Sequence, residues 1–285
     1  MSKKLFESLD LGYDIYHTMM PGHTPGPGRV YSSLIIGNEK ALVIDTGYGV
    51  GDYLSYIRTL TNKPLIVVNT HGHIDHASGN CQFGEVWLNP KDYSIADRHT
   101  SLENRKNSSE VTEYIDILQD GPYTRLPLTA GITFDLGGRT VTVHPCAGHT
   151  KGSMSFLDSR SRYLFTGDNI TRRVLLLGTL TDSTTLEEYR QTLLYTQTLD
   201  FDSIVAAHVP YLLLKEWVSR VLALVENFDP DTYIEPVRNF ALKIPGVWPV
   251  EYTRGNGFDD PEYYGFVYDR NHMTEFLTGF TVKKQ

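Results

Sequence analysis

Apolar residues along this chain gather into short runs that repeatedly stop at polar residues able to bind or react: ALVIDTG at 41–47, PLIVVNTHGH at 64–73, YLFTGDN at 163–169 and SIVAAH at 203–208. Short apolar runs rich in Val and Ile and bounded by turn residues read as buried strands. Strands that all end at such residues predict a site along one sheet edge. Between them the interval becomes helical. In 51–60, Tyr53, Leu54, Tyr56, Ile57 and Leu60 keep a helical spacing, and 185–199 reads as a helix capped at Thr184 or Thr185. A further helix is predicted over 211–228. The segment 128–157 alternates apolar and polar residues around Gly137 and Gly138, which is the pattern of a hairpin.

Strands with helices between them, followed by the same again, predict an α/β chain with sheet packed on sheet and helices outside. Two stretches are irregular. The segment 19–29 is rich in Pro and Gly and reads as an exposed loop between early strands. From 229 onward the chain is aromatic and Gly/Pro-rich, with Tyr252, Phe258, Tyr263, Tyr264, Phe266 and Tyr268. We set 226–285 apart as a C-terminal extension within a single domain spanning 1–285. Its tyrosines suit either an aromatic wall or a subunit contact, the latter implying a homodimer.

Composition narrows the function classes. The chain has 285 residues, 40% of them hydrophobic, which is ordinary for a globular protein. A formal charge of -8 provides no basic field for a phosphate backbone, so a small-molecule substrate is expected and nucleic acid is not. No apolar run is long enough for a signal peptide or a membrane span, and Cys81 and Cys146 offer no disulfide framework, so the chain reads as cytoplasmic. Both cysteines are expected as buried packing residues.

Candidate chemistry concentrates in THGHIDHASGN at 70–80, where His71, His73, Asp75 and His76 lie within six residues just after a predicted strand. Imidazole and carboxylate donors suit Zn²⁺, and also Fe or Mn, while the lack of cysteine argues against a closed structural zinc site. Three further donors follow later strands: His149 in PCAGHTKGS, Asp168 in FTGDNI and His208 in VAAHVP. Gly148 and Gly167 beside them permit sharp turns and close backbone approach. The other histidines, His17, His23, His99, His144 and His272, read as ordinary core or surface residues.

The order H-x-H-x-D-H, Gly-His, Gly-Asp and a late His, over residues 30–210, resembles the metallo-β-lactamase superfamily. The resemblance implies a four-layer αβ/βα sandwich and two divalent metal ions, most simply Zn²⁺. It implies that His71, His73 and His149 hold one ion, that Asp75, His76 and His208 hold the other, and that Asp168 bridges them. It further implies that Asp45 orients the ligand loop by hydrogen bonding and that 19–29 lies where family members carry a flap. The implied activity is hydrolysis of a small ester, thioester, lactone or phosphoester by a hydroxide shared between the ions. Asp168 and Asp75 are its catalytic carboxylates, with Asp75 relaying a proton. Arg172 and Arg173 are candidates to meet an anionic substrate group.

Two rival functions remain. Persulfide dioxygenases keep the H-x-H-x-D-H run but use a single iron held by His, His and Asp. A metal-stabilised binding module without catalysis is the other.

Overall fold

The computed structural model of the chain describes residues 5–22, 29–176, 182–231, 249–255 and 262–282. Strands β1 (Glu7–Asp10), β2 (Ile15–Met19), β3 (Tyr31–Ile36), β4 (Ala41–Ile44), β5 (Leu65–Val68), β6 (Glu85–Leu88) and β7 (Thr124–Pro127) form one sheet in chain order. The chain continues through β8 (Thr133–Asp135), β9 (Thr140–Pro145), β10 (Met154–Asp158), β11 (Tyr163–Gly167), β12 (Arg173–Leu176), β13 (Ser203–Ala206), β14 (Leu213–Leu214), β15 (Pro249–Arg254) and β16 (Tyr264–Asp269). A second sheet has the order β14-β13-β11-β10-β9-β8, and a small third one the order β12-β16-β15. The helices are α1 (Tyr53–Leu60), α2 (Ile74–Ala77), α3 (Tyr93–His99), α4 (Leu102–Lys106), α5 (Leu186–Thr198), α6 (Glu216–Glu226) and α7 (Met273–Phe276).

The two-residue period of a strand sorts the core into layers. On β4, Ala41 and Val43 pack with Leu34, Val67 and Val86 against Tyr53 and Ile57 of α1. Leu42 and Ile44 point the other way and, with Ile35 and Val68, meet Phe134, Val141, Phe156 and Phe165 of the second sheet. The far face of that sheet, with Leu164, Ile204 and Ala206, is covered by Leu186, Tyr189 and Leu193 of α5 and Trp217, Val218 and Val221 of α6. Helix, sheet, sheet and helix therefore make the four-layer sandwich. Covered on both faces, β4 has all four residues buried, which explains why it carries no polar alternation.

Strand direction then places the site. β4 and β5 are parallel, β9 and β11 each run antiparallel to β10, and β13 is parallel to β11. The C-terminal ends of β4 and β5 thus share one end of the first sheet, and those of β9, β11 and β13 one end of the second. The backbone N–H of Met154 donates to the Thr70 carbonyl at 2.9 Å, joining the sheets there.

Several elements differ from the sequence pattern. α1 starts at Tyr53 because Gly51 adopts φ +68° and Asp52 caps the helix by accepting from the Ser55 N–H at 2.8 Å. Thr185 caps α5 with a reciprocal Glu188 contact, as its sequence suggested. The helix predicted over 211–228 is shorter. Leu213 and Leu214 pair with the edge of β13, and α6 begins only at Glu216. The 19–29 stretch joins β2 to β3, but 23–28, with His23, lie outside the described residues, and so does Phe258.

The described part of the tail contributes aromatic side chains to the core. Tyr252, Phe266 and Tyr268 pack on Phe228, with ring centroids 4.9, 5.5 and 5.2 Å away, and Tyr268 stacks on Phe276. Tyr263 is buried as well. The small third sheet thus turns Tyr252, Phe266 and Tyr268 into the cluster that also holds α5 and α6, with Tyr264 packed against it.

Candidate metal centre

Every proposed donor sits just beyond the C-terminal end of one of the strands described above. His71, His73, Asp75 and His76 follow β5, with His73 at the start of α2 and His76 inside it. His149 lies in the turn between β9 and β10, Asp168 follows β11, and His208 follows β13. Asp45 follows β4 with φ +65°, a left-handed conformation that Asp tolerates better than most residues.

The ring nitrogens converge. His73 Nδ1 lies 3.1 Å from His71 Nε2 and 2.8 Å from His149 Nε2. On the other side, His76 Nε2 lies 3.5 Å from Asp75 Oδ2 and 3.3 Å from Asp168 Oδ1, while His208 Nε2 lies 3.4 Å from Asp75 Oδ2 and 3.1 Å from Asp168 Oδ2. Two groups of donors result, one of His71, His73 and His149 and one of Asp75, His76, Asp168 and His208. Asp168 Oδ2 also reaches to 3.6 Å from His149 Nε2, so its carboxylate stands between the groups. The structure brings together all seven residues singled out in the sequence.

Contacts outside this cluster set the orientation of the rings. His71 Nδ1 lies 3.0 Å from Thr70 Oγ1, His149 Nδ1 2.9 Å from the Leu175 carbonyl, His208 Nδ1 2.9 Å from the Arg29 carbonyl, and His76 Nδ1 2.8 Å from Asp45 Oδ2. In these four rings Nδ1 is engaged from outside, leaving Nε2 to face inward. His73 is reversed and presents Nδ1. Asp45 also accepts from the Thr70 N–H at 2.7 Å and hydroxyl at 2.8 Å, so a single buried carboxylate ties the end of β4 to the histidine loop. Asp45→Ala strands these buried donors and is expected to cost at least about 1.5–3 kcal/mol, read as a lower urea midpoint at unchanged slope. A midpoint equal to the wild type would remove this anchoring role.

Electrostatics divide the two groups. Burial, reinforced by neighbouring imidazoles, pushes His71 and His73 well below the ordinary histidine range; burial lowers His149 too, although Asp168 opposes it. Those three rings are neutral and offer lone pairs. In the second group burial again opposes charge, but Asp75, Asp168 and Asp45 outweigh it and hold His76 well above its usual value, and Asp168 and Asp75 raise His208 to about 10. Burial raises Asp75 and Asp168, yet His76 and His208 outweigh it and hold both carboxyls well below their usual range.

These features fit bound cations. His76 Nε2 and Asp168 Oδ1 are buried without a hydrogen-bond partner, 3.3 Å apart. Buried polar atoms are rarely left unpaired. Imidazole nitrogens converging from His71, His73 and His149, beside the Asp75 and Asp168 carboxylates that face His76 and His208, are a donor set that a cation would satisfy.

The other sequence candidates are not among these donors. Arg172 Nε donates to the Tyr263 carbonyl at 3.2 Å, with its guanidinium over the Tyr263 ring, and Arg173 opens β12 in register with Gly265. His17 is buried between Ser33 and the Val209 carbonyl, His144 contacts Tyr195, and His272 pairs with Asp269. Cys146 is fully buried as expected, whereas Cys81 is only partly so.

Three residues around the site were not singled out from sequence. His99 stacks on His73 with centroids 5.0 Å apart. Asn169 accepts the His149 N–H through Oδ1 at 2.7 Å. Asp92 hydrogen-bonds both the histidine loop and the His149 loop. Only Asn169, adjacent to Asp168, had a sequence signal that could have drawn attention.

Known proteins resemble the chain in sequence and in fold. The family model described as the metallo-beta-lactamase superfamily matches residues 25–208. An acyl-coenzyme A thioesterase, MBLAC2, of Homo sapiens is 29% identical over 157 residues, covering 47% of this chain and 56% of that protein. An atrochrysone carboxyl ACP thioesterase, nsrC, of Aspergillus novofumigatus is 27% identical over 158 residues, covering 52% of this chain and 42% of that one. The chain spans about half the length of the curated relatives it matches. Among solved structures, a metallo-beta-lactamase from Pontibacter korlensis superposes with TM-score 0.59 at 20% identity, over 78% of this chain and 100% of that one. An archaeal superfamily protein from Sulfolobus tokodaii gives 0.56 at 19%, over 78% and 91%. Both share the fold.

Proposed function

The chain belongs to the metallo-β-lactamase superfamily, and from that premise we propose that it is a metal-dependent hydrolase of small acyl substrates, with a thioester as its preferred bond. The observation that carries this reading is the convergence of seven side chains into two donor groups, with Asp168 of the second also 3.6 Å from His149 of the first. His71, His73 and His149 would hold one divalent ion and Asp75, His76 and His208 the other, with Asp168 between them. Zn²⁺ suits the imidazole and carboxylate set best, and Fe or Mn can use it too. Bound there, such ions supply polarisation of the acyl oxygen and a water acidified toward neutral pH.

The chain's own residues account for positioning and for the proton. Asp168 keeps the two donor groups in one frame. Asp75 keeps some solvent exposure, as does His208, so this side of the cluster faces the substrate. As water adds to the acyl carbon, the C–S bond breaks and its electron pair leaves with sulfur. Asp75 passes one of the water's protons toward that sulfur, giving a thiol and a carboxylic acid that releases the other proton to solvent. A thiol has a pKa of about 8.5, so the departing sulfur needs less protonation than an alkoxide would. Arg172 and Arg173 remain candidates for an anionic part of the substrate. The names of the thioesterase relatives favour the thioester over the lactone, ester and phosphoester.

A single-iron dioxygenase reading gains no support from the complete second donor group, which it would leave without a role. The decisive experiment is a screen of acyl thioesters, chromogenic esters, lactones and phosphodiesters, with and without chelator. Thioester hydrolysis is expected to lead and to fall at least about 100-fold on metal removal, about 2.7 kcal/mol of barrier, recovering when Zn²⁺ is restored. Inactivity toward every class in metal-loaded protein would return the chain to the binding-module reading.

A further inference from the structure

We infer that Asp92 is the positioning residue of the three-histidine group, clamping the two loops that supply it, and that it serves one metal position rather than both. This inference rests on the two-ion reading above but concerns a residue outside the ligand set. Asp92 ends the short 3-10 turn Pro90–Asp92 that follows β6. Its side chain is fully buried. Asp92 Oδ2 accepts the Gly72 N–H at 3.0 Å and the Thr150 hydroxyl at 2.7 Å. Gly72 separates His71 from His73, and Thr150 follows His149. One carboxylate oxygen therefore holds both segments that deliver the three rings.

The packing around it is specific to this role. A Cβ on Gly152 would sit 2.2 Å from Asp92 Oδ1, and one on Gly72 would sit 2.8 Å from the Asp92 carbonyl and 3.0 Å from the Ala96 nitrogen. Two glycines thus make the slot into which the 3-10 turn fits. Ser153 Oγ lies 2.8 Å from Thr150 Oγ1 and extends the chain of hydroxyls that ends on Asp92. Burial pushes the Asp92 carboxyl up to about 6, although the Thr150 and Gly72 contacts pull it down. Keeping an ionised carboxylate there costs stability, a cost the two loop contacts offset. The second donor group is supported by other residues: Asp45 holds His76, and the Arg29 carbonyl holds His208. Asp45 also reaches His71 through Thr70, whereas the contacts of Asp92 flank only the three-histidine group.

The test is Zn²⁺ uptake by purified full-length protein in competition with a chromophoric chelator, repeated with Co²⁺ so that the absorption bands report each position. Wild type, Asp92→Ala, Asp92→Asn and Gly152→Ala are compared, with circular dichroism as the check on folding. Asp92→Asn is read if the alanine variant does not fold. Losing a contact that orients a ligand typically costs about 10–100-fold in metal affinity. The expected result is a loss of that size for one equivalent and none for the other, in the Asp92 variants and in Gly152→Ala alike. Wild-type affinity for both equivalents in Asp92→Ala or Asp92→Asn would overturn the clamp. Equal weakening of both would overturn its selectivity and leave a general packing role. If wild-type protein itself takes up fewer than two equivalents, the two-ion reading fails first, an outcome visible without any variant.

Discussion

Asp168→Ala is expected to lower kcat/KM for the best substrate by at least about 1000-fold, roughly 4 kcal/mol of transition-state stabilisation, while the fold survives. The size follows from its place in the site. Asp168 reaches both donor groups, lying 3.3 Å from His76, 3.1 Å from His208 and 3.6 Å from His149. Its removal would uncouple the two metal positions and leave His208 without the carboxylate nearest its Nε2, 3.1 Å away. The backbone around it is held independently. The Asn169 N–H donates to the Thr166 carbonyl, and the Ala207 N–H to the Gly167 carbonyl. Native circular dichroism and near-normal melting should therefore accompany the lost turnover. Activity within tenfold of wild type, in protein shown to contain metal, would defeat the assignment.

Arg139→Met is expected to cause the largest loss of stability of any single change far from the site, about 3–5 kcal/mol. Arg139 and Asp158 are both buried, joined by Nε donating to Oδ1 at 2.8 Å and by a second, parallel contact from NH2. Arg139 NH1 also donates to the carbonyls of Tyr13 and Ile36, so one guanidinium binds the β8–β9 hairpin to the first sheet and to the end of β10. Methionine removes the cation and leaves the carboxylate buried. Burial raises the Asp158 carboxyl, but Arg139 and Ser161 outweigh it and hold it below its usual range. A depressed carboxyl contributes stability at pH values above its unfolded value, and that stability is lost as the pH falls through the folded value. In Arg139→Met the cation is gone and protonation relieves the stranded charge. The deficit should be greatest at neutral pH and shrink toward pH 4, measured by urea unfolding across that range. A deficit independent of pH would mean that packing, rather than charge, holds this corner.

How much of this was legible beforehand depended on the range of the interaction involved. The strands ending at Ile44, Val68, Gly167 and Ala206 could be read because buried strands need unbroken apolar runs, and the histidine cluster because its donors lie within six residues. Helix ends were less legible. The stretch from 211 looks helical by composition, yet Leu213 and Leu214 are drawn onto the β13 edge, a pairing no local pattern encodes. The same holds for Asp92. Nothing in LNPKDY distinguishes it from a turn aspartate, and its significance comes from Gly72 and Thr150, which lie 20 and 58 residues away.

The aromatic tail shows this division most clearly. Its composition suggested a surface role, whereas β15 and β16 build a sheet on β12, bury their rings and set Leu175 opposite Val267. The Leu175 carbonyl is the group that engages His149 Nδ1, so the C-terminal segment bears on the site through one backbone contact. Residue order along the chain was enough to read the α/β fold class and to mark His71, His73, Asp75 and His76, because strand periodicity and donor chemistry are local properties, whereas His149, Asp168 and His208 were joined to them through the resemblance to a known family. Which ring nitrogen faces inward, and that Asp92 joins the two loops, were decided only in three dimensions. Those outcomes depend on contacts between segments far apart in sequence, and such contacts exist only after the sheets have packed.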